Sequence, residues 1–180
     1  MNQEQAAPAP VWALAVDTLA RASAVAAAAT GEEDLRLGTA GALAGPFADW
    51  VFVDLTGAGQ PRRAVAARQG SPVLSRALTA LRLTDAPLIS AAVRRRTPLI
   101  EAPVRDRWLL GRMPDGKPVA GAVGARSAAV GPIVTADGSA CGAITIVRTG
   151  AKPYVRFVEL GFLCHIAELT GVAVKRLRRR

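Results

Sequence analysis

Residues 125–177 constrain the fold of this chain more than any other stretch. Two apolar runs, 126–134 and 140–147, are joined through Asp137 and Gly138; Gly150 and Pro153 then break the chain before a long amphipathic segment. An Asp-Gly pair between two β-rich runs marks a hairpin. A strand with one wet face alternates apolar and polar residues. Here Ala128, Ala129, Val130, Ile133 and Val134 are instead answered by Ala143, Ile144, Ile146 and Val147. The pattern predicts a hairpin central in a sheet that is covered on both faces. Beyond it, Phe157, Leu160, Leu163, Ile166, Ala167, Leu169, Thr170 and Val174 recur at helical spacing and need one sheet face to bury against. The other face needs its own cover, and a pocket would lie beneath it.

The rest of the chain supplies the remaining elements. Residues 1–10 are Ala/Pro-rich and predict a flexible N-terminal segment; 11–180 read as a single domain. Helical periods run over 11–29 and 32–43, with Thr30 as a polar start signal and Glu32 and Glu33 in the first turn of the second. Residues 50–55 (WVFVDL) predict a strand, 56–60 a turn, and 62–68 a returning strand. The last alternates apolar residues with arginine, as a strand near the sheet edge does. Residues 71–81 predict a helix opened by Ser71 and Pro72. The stretch 83–124 is irregular, with a short strand at 97–101, a short helix at 104–110 and turns over 113–124. A connection of that length is usually functional or mobile. The resulting class is α+β, an antiparallel sheet with helices on both sides.

Composition enters mainly by exclusion. Two cysteines, Cys141 in the buried strand and Cys164 in the long helix, are too few for a disulfide framework or a zinc site, and both read as small apolar side chains; no metal site is expected. No apolar run approaches the ~18 residues of a membrane span. Residues 1–10 carry Glu4 and no basic region, so they are not a secretory signal. The expectation is a soluble, cytoplasmic protein without membrane association. The net charge of +9 raises nucleic acid as a partner. Its two main clusters, Arg94 to Arg96 and the group Lys175, Arg176, Arg178, Arg179 and Arg180, are not interleaved with aromatics that stack on bases. They read as solvated charge, and nucleic acid is not expected.

Three segments in this order resemble a GAF domain, in the version common in actinobacterial signalling phosphatases and kinases. Ala48 to Leu55 (ADWVFVDL) is similar to the first strand of that group. Gly138 with Gly142-Ala143-Ile144-Thr145-Ile146-Val147-Arg148 is similar to its last hairpin, and Gly150 to Tyr154 followed by Glu168 to Val174 resembles its closing helix. The resemblance implies a GAF/PAS-like antiparallel sheet. Its terminal helices would pack on one face, with a small-molecule pocket on the other under loops and short helices from 83–124. It implies a sensor or regulatory protein, homodimeric through its terminal helices. No output module follows Arg180 in this sequence, and Val155, Arg156, Phe157 and Val158 stand where the family starts its last helix with acidic residues. The expectation is therefore a stand-alone domain.

Within that frame the candidate ligand-binding residues are Arg94, Arg96, Arg105, Trp108, Arg126, Ser127, Cys141 and Thr145. Arg94, Arg95, Arg96, Arg105, Arg107 and Arg112 crowd the covering segment. Arginines turned inward would hold a carboxylate or phosphate, which makes an anionic metabolite the expected ligand; turned outward they form a solvated loop. Trp108 covers a ring or acyl chain, or packs. Cys141 and Thr145 share strand parity and so predict a common face, pocket or core. His165, the single histidine, lacks a second ligand at i+4, so a haem through it is not expected and the cofactor stays unassigned. Asp49 and Asp54 are spaced for opposite faces, which excludes an acid/base pair. Two further readings stay open. One is a GAF-fold enzyme of a metabolic or biosynthetic pathway, using Cys141, Thr145 or Arg126 in the same pocket. The other is a ligand-free scaffold that pairs with a separate signalling protein.

Overall fold

The computed structural model describes residues 11–45, 47–57, 62–69, 71–150 and 157–179. The N-terminal ten residues, the 58–60 part of the expected turn and Pro153 lie outside the described residues. Strands β1 (Trp50–Leu55), β2 (Arg62–Ala67), β3 (Leu99–Glu101), β4 (Ala125–Val134) and β5 (Ala140–Thr149) form one antiparallel sheet in the order β2-β1-β5-β4-β3. The helices are α1 (Val11–Ala28), α2 (Glu32–Leu43), α3 (Pro72–Thr79), α4 (Pro87–Arg95), α5 (Val119–Ala122) and α6 (Phe157–Arg178).

The doubly apolar hairpin stands where its pattern predicts, with β5 in the middle of the sheet and β4 beside it. Its turn closes on Asp137, whose carboxylate accepts from Thr135 Oγ1 at 2.6 Å and from the Ser139 N–H at 3.0 Å. Those donors hold the Asp137 carboxyl below its usual range. Gly138 supplies the positive φ of 81°.

One face of the sheet carries Val51, Val53, Ala129, Ile144 and Ile146 and buries them against Leu35 and Leu43 of α2 and Leu163, Ile166 and Val174 of α6, with Ala22 and Ala26 of α1 packed on those two helices. α6 lies so close to the sheet that a Cβ on Gly171 would overlap the Val134 carbonyl oxygen, and one on Gly131 would sit 3.1 Å from Leu163 Cγ. By length and composition α6 could cross a membrane, which corrects the expectation that no segment approaches that test. Its apolar stripe is instead occupied by the sheet.

The C-terminal cations are not simply solvated, which corrects a second expectation. Arg176 donates to the carbonyls of Ala27 at 2.7 Å, Ala29 at 2.9 Å and Ala26 at 3.0 Å, satisfying the orphan acceptors at the end of α1. Arg178 pairs with Glu32 of α2 at 2.6 Å and donates to the Thr56 carbonyl after β1 at 2.5 Å. At the other end of α6, Glu159 is buried and accepts from Arg148 of β5 at 2.8 Å.

The segment 71–124 covers the second face. It is more helical than its sequence suggests: α4 and α5 replace expected loop, while 104–110 forms turns rather than a helix. α4 forms because Pro87 starts it and Ile89 and Ala92 fall on one side, where they meet Val130 and Ala143. Residues 104–110 do not, because the Val104 N–H donates to the Arg126 carbonyl and Asp106 Oδ1 accepts from the Trp108 N–H in a local turn.

Gly171→Ala tests the close approach. Alanine adds about 1 kcal/mol of helix propensity, but the Val134 carbonyl cannot give way. The expected net is a loss of about 1–3 kcal/mol in urea unfolding. Gly41→Ala in α2, where a Cβ meets nothing, should leave stability unchanged or raise it.

Candidate functional site

On the face under α3, α4 and α5 the side chains of Trp50, Phe52, Ala128 and Val147 meet Leu78, Leu109, Leu110 and Val119, while Val130 and Ala143 meet Ile89 and Ala92. Thr145 is on this face, between Phe52 of β1 and Val130 of β4, fully buried with no hydrogen-bond partner for Oγ1 among the described residues. Ser127 is fully buried near the start of β4. Six arginines expected as candidates to line a pocket here, Arg94, Arg95, Arg96, Arg105, Arg107 and Arg112, are exposed instead. Arg107 and Arg112 stack on the half-buried Trp108 ring, with guanidinium carbons 5.2 and 4.3 Å from its centroid. Arg126 is exposed and donates to the Gly150 carbonyl at 2.8 Å.

Cys141 does not share a face with Thr145. The ladder pairs Ile133 with Gly142 but Val134 with Ala140, so Cys141 is the extra residue of a bulge and the parity argument fails across it. Gly142 permits the kink, since a Cβ there would overlap the Asp54 carbonyl oxygen. Cys141 packs in the core on the α1/α2/α6 side. Burial pushes its thiol up to about 11, against a smaller opposing pull from Arg178. At pH 8 about one thiol in a thousand would then be thiolate. Burial likewise raises the Cys164 thiol. Among the described residues no group of three or more His, Cys, Asp and Glu side chains is placed to hold a metal. His165 is exposed and lies 3.6 Å from Glu168.

The arrangement with binding chemistry lies at the sheet edge. Asp54 ends its strand's apolar run and faces Arg63 across the β1–β2 ladder. Arg63 Nε donates to Oδ1 at 2.8 Å and Nη2 to Oδ2 at 3.1 Å, in a fork with both side chains at most 2% exposed. Burial raises the Asp54 carboxyl while the Arg63 guanidinium pulls it back down. The same guanidinium lies 5.1 Å from the Phe52 ring centroid. Its remaining nitrogen, Nη1, is buried without a hydrogen-bond partner among the described residues.

Arg63 also lines a cavity of about 650 Å³ with Glu33, Arg36 and Leu37 of α2, Arg62, Ala64 and Val65 of β2, and Thr79 and Ala80 at the end of α3. Arg36 and Arg63 are buried; Glu33 and Arg62 are exposed at the rim. Within reach of this cavity three guanidiniums face one buried carboxylate and Glu33, an excess of positive charge suited to an anion. None of these residues was singled out as a site from the sequence. The available signal was an Asp closing an apolar strand with an Arg pair opening the next.

No protein-family model matches the sequence, and no curated protein matches it. Solved structures do. The free methionine-R-sulfoxide reductase from Neisseria meningitidis, in complex with its substrate, superposes with a TM-score of 0.69 at 19% identity over 99% of each chain. The A. aeolicus nlh2 GAF domain in an inactive state gives 0.68 at 13% identity, covering 93% of this chain and 99% of that one. The GAF domain of an Acinetobacter phosphoenolpyruvate-protein phosphotransferase gives 0.67 at 13% identity, covering 91% and 94%. The chain has the GAF fold. At these identities the likeness defines the architecture and not the ligand.

Proposed function

We propose that the protein is a small-molecule-binding regulatory domain of GAF fold, and that its ligand is an anionic metabolite taken at the edge cavity. The observation that carries this reading is Arg63: a buried guanidinium committed to Asp54 by two nitrogens and unpartnered at the third, in a residue that lines a cavity together with buried Arg36. Leaving a buried donor unsatisfied costs about 1–3 kcal/mol, which an incoming acceptor offsets. The enzyme reading loses its cluster, because Cys141, Thr145 and Arg126 occupy three separate environments. A small carboxylate or phosphate at about a hundred times its Kd should raise Tm by about 5–10 °C. Arg36→Gln should abolish that shift while leaving the unliganded Tm within a few degrees. A panel of small mono-, di- and tricarboxylates and phosphate esters without any effect on Tm would overturn the reading.

The partner we infer is a second copy of the chain. Val158, Gly161, Phe162 and His165 follow one another at helical spacing along α6 and, with Leu19 of α1, line a shallow apolar groove of about 340 Å³. Phe157 and Val158 beside it are 80% and 66% exposed. A self-complementary apolar stripe on two helices suits an isologous two-fold contact. Sedimentation should give a dimer, and Val158→Glu a monomer with unchanged circular dichroism. A monomeric parent protein would overturn the pairing, and capture of a different signalling protein by this face would favour the scaffold reading.

A further inference from the structure

The lining of the edge cavity defines more than an anion. Resting on the reading of that cavity as the ligand site, we propose that its ligand is a small amphoteric acid, with two anionic groups and one protonated amine on a short aliphatic chain: the aminodicarboxylate class.

The charges around the cavity set this composition. Arg63 is balanced by Asp54, so the fork contributes no net charge, and its one unpartnered nitrogen, Nη1, is buried. Arg36 and Arg62 then make no close ion pair with a carboxylate among the described residues, Arg36 acting on Asp54 only at longer range, and Glu33 makes none with a cation. Glu33 and Arg36 lie one turn apart on α2, where opposite charges commonly pair, yet no ion pair joins them. The complement of two guanidiniums and one carboxylate is two carboxylates and one ammonium. A simple dianion would satisfy Arg36 and Arg62 but set a negative group against Glu33. A monoanion would leave one guanidinium unanswered.

The remaining lining fits the carbon skeleton. Leu37, Ala64, Val65 and Ala80 give short aliphatic contacts, and among the described residues no aromatic ring lines the cavity to stack on a planar ring system. A volume of about 650 Å³ is within the range of small-ligand pockets. The Thr79 hydroxyl, in a residue that lines the cavity, donates to the Ser75 carbonyl at 2.9 Å, so its oxygen has only acceptor capacity left, which suits an ammonium or hydroxyl. The arginines act by fork geometry on carboxylates, and Glu33 at the rim selects the amine.

The test is calorimetric titration of the whole chain with L-aspartate and L-glutamate, their amine-free counterparts succinate and glutarate, and inorganic phosphate. An aminodicarboxylate should bind at least about tenfold more tightly than its amine-free match. Glu33→Gln, an exposed change, should bring that ratio to about one without weakening the plain dicarboxylate. Arg36→Gln should weaken both. If the plain dicarboxylate or phosphate binds equally well or better, or if Glu33→Gln leaves the ratio intact, the amphoteric assignment is overturned and the anion site stands. If none of the probes binds, the assignment falls; a positive response of other anions in the thermal assay would then show that the cavity reading survives it.

Discussion

The contact between α6 and the central hairpin is the constraint on which the rest of the structure depends. A backbone carbonyl, Val134, lies where any side chain at position 171 would begin, so helix and strand touch main chain to main chain. That approach brings Leu163, Ile166, Ala167 and Val174 onto β4 and β5, while α2 covers β1 and β2 on the same face. The ends of α6 are then tied to everything else on that face. Arg148 holds Glu159 at its start, while Arg176 and Arg178 close on the end of α1 and the beginning of α2. Arginines so placed satisfy carbonyls that helix ends leave open, which is worth more than a surface charge in water.

With one face occupied by helices and the other by the 71–124 cover, the edge strand β2 is where polar chemistry is brought together. Asp54 and Arg63 are both nearly inaccessible, and a buried ion pair of this kind contributes little net stability against a well-packed apolar alternative. Removing one partner is a different matter, since it strands a buried charge. The pair also fixes the Arg63 guanidinium plane, and Arg63 and buried Arg36 both line one cavity between α2, β2 and α3. A binding site on the sheet edge, built on a rigid fork, needs no opening of the cover over the sheet face.

Much of this architecture was legible in the residues. The unbroken apolar runs around Asp137-Gly138 placed the hairpin at the sheet centre, and WVFVDL marked β1 with its observed bounds. The site was less legible for physical reasons. The alternation rule assumes an unbroken ladder, and the bulge at Cys141 turns that side chain to the opposite face from Thr145. The arginines of 94–112 invite a pocket by number alone, but number does not say which way a long side chain points, and they are exposed. Helix α4 was hidden because its Ile89 and Ala92 contacts are with β4 and β5, far along the chain. The Asp54–Arg63 pair depends on the β1–β2 register, which a hydrophobic pattern alone does not give for an edge strand.

The most direct test of the account is where an anion binds. Backbone amide shifts should be followed by NMR while a tight-binding anionic ligand is titrated into the protein. The account predicts that the perturbed amides cluster at 33–37 of α2, 62–65 of β2 and 79–80 at the end of α3. Perturbations centred instead on Thr145, Val130 and the inner sides of α4 and α5 would contradict it, placing the ligand beneath the cover of the sheet face.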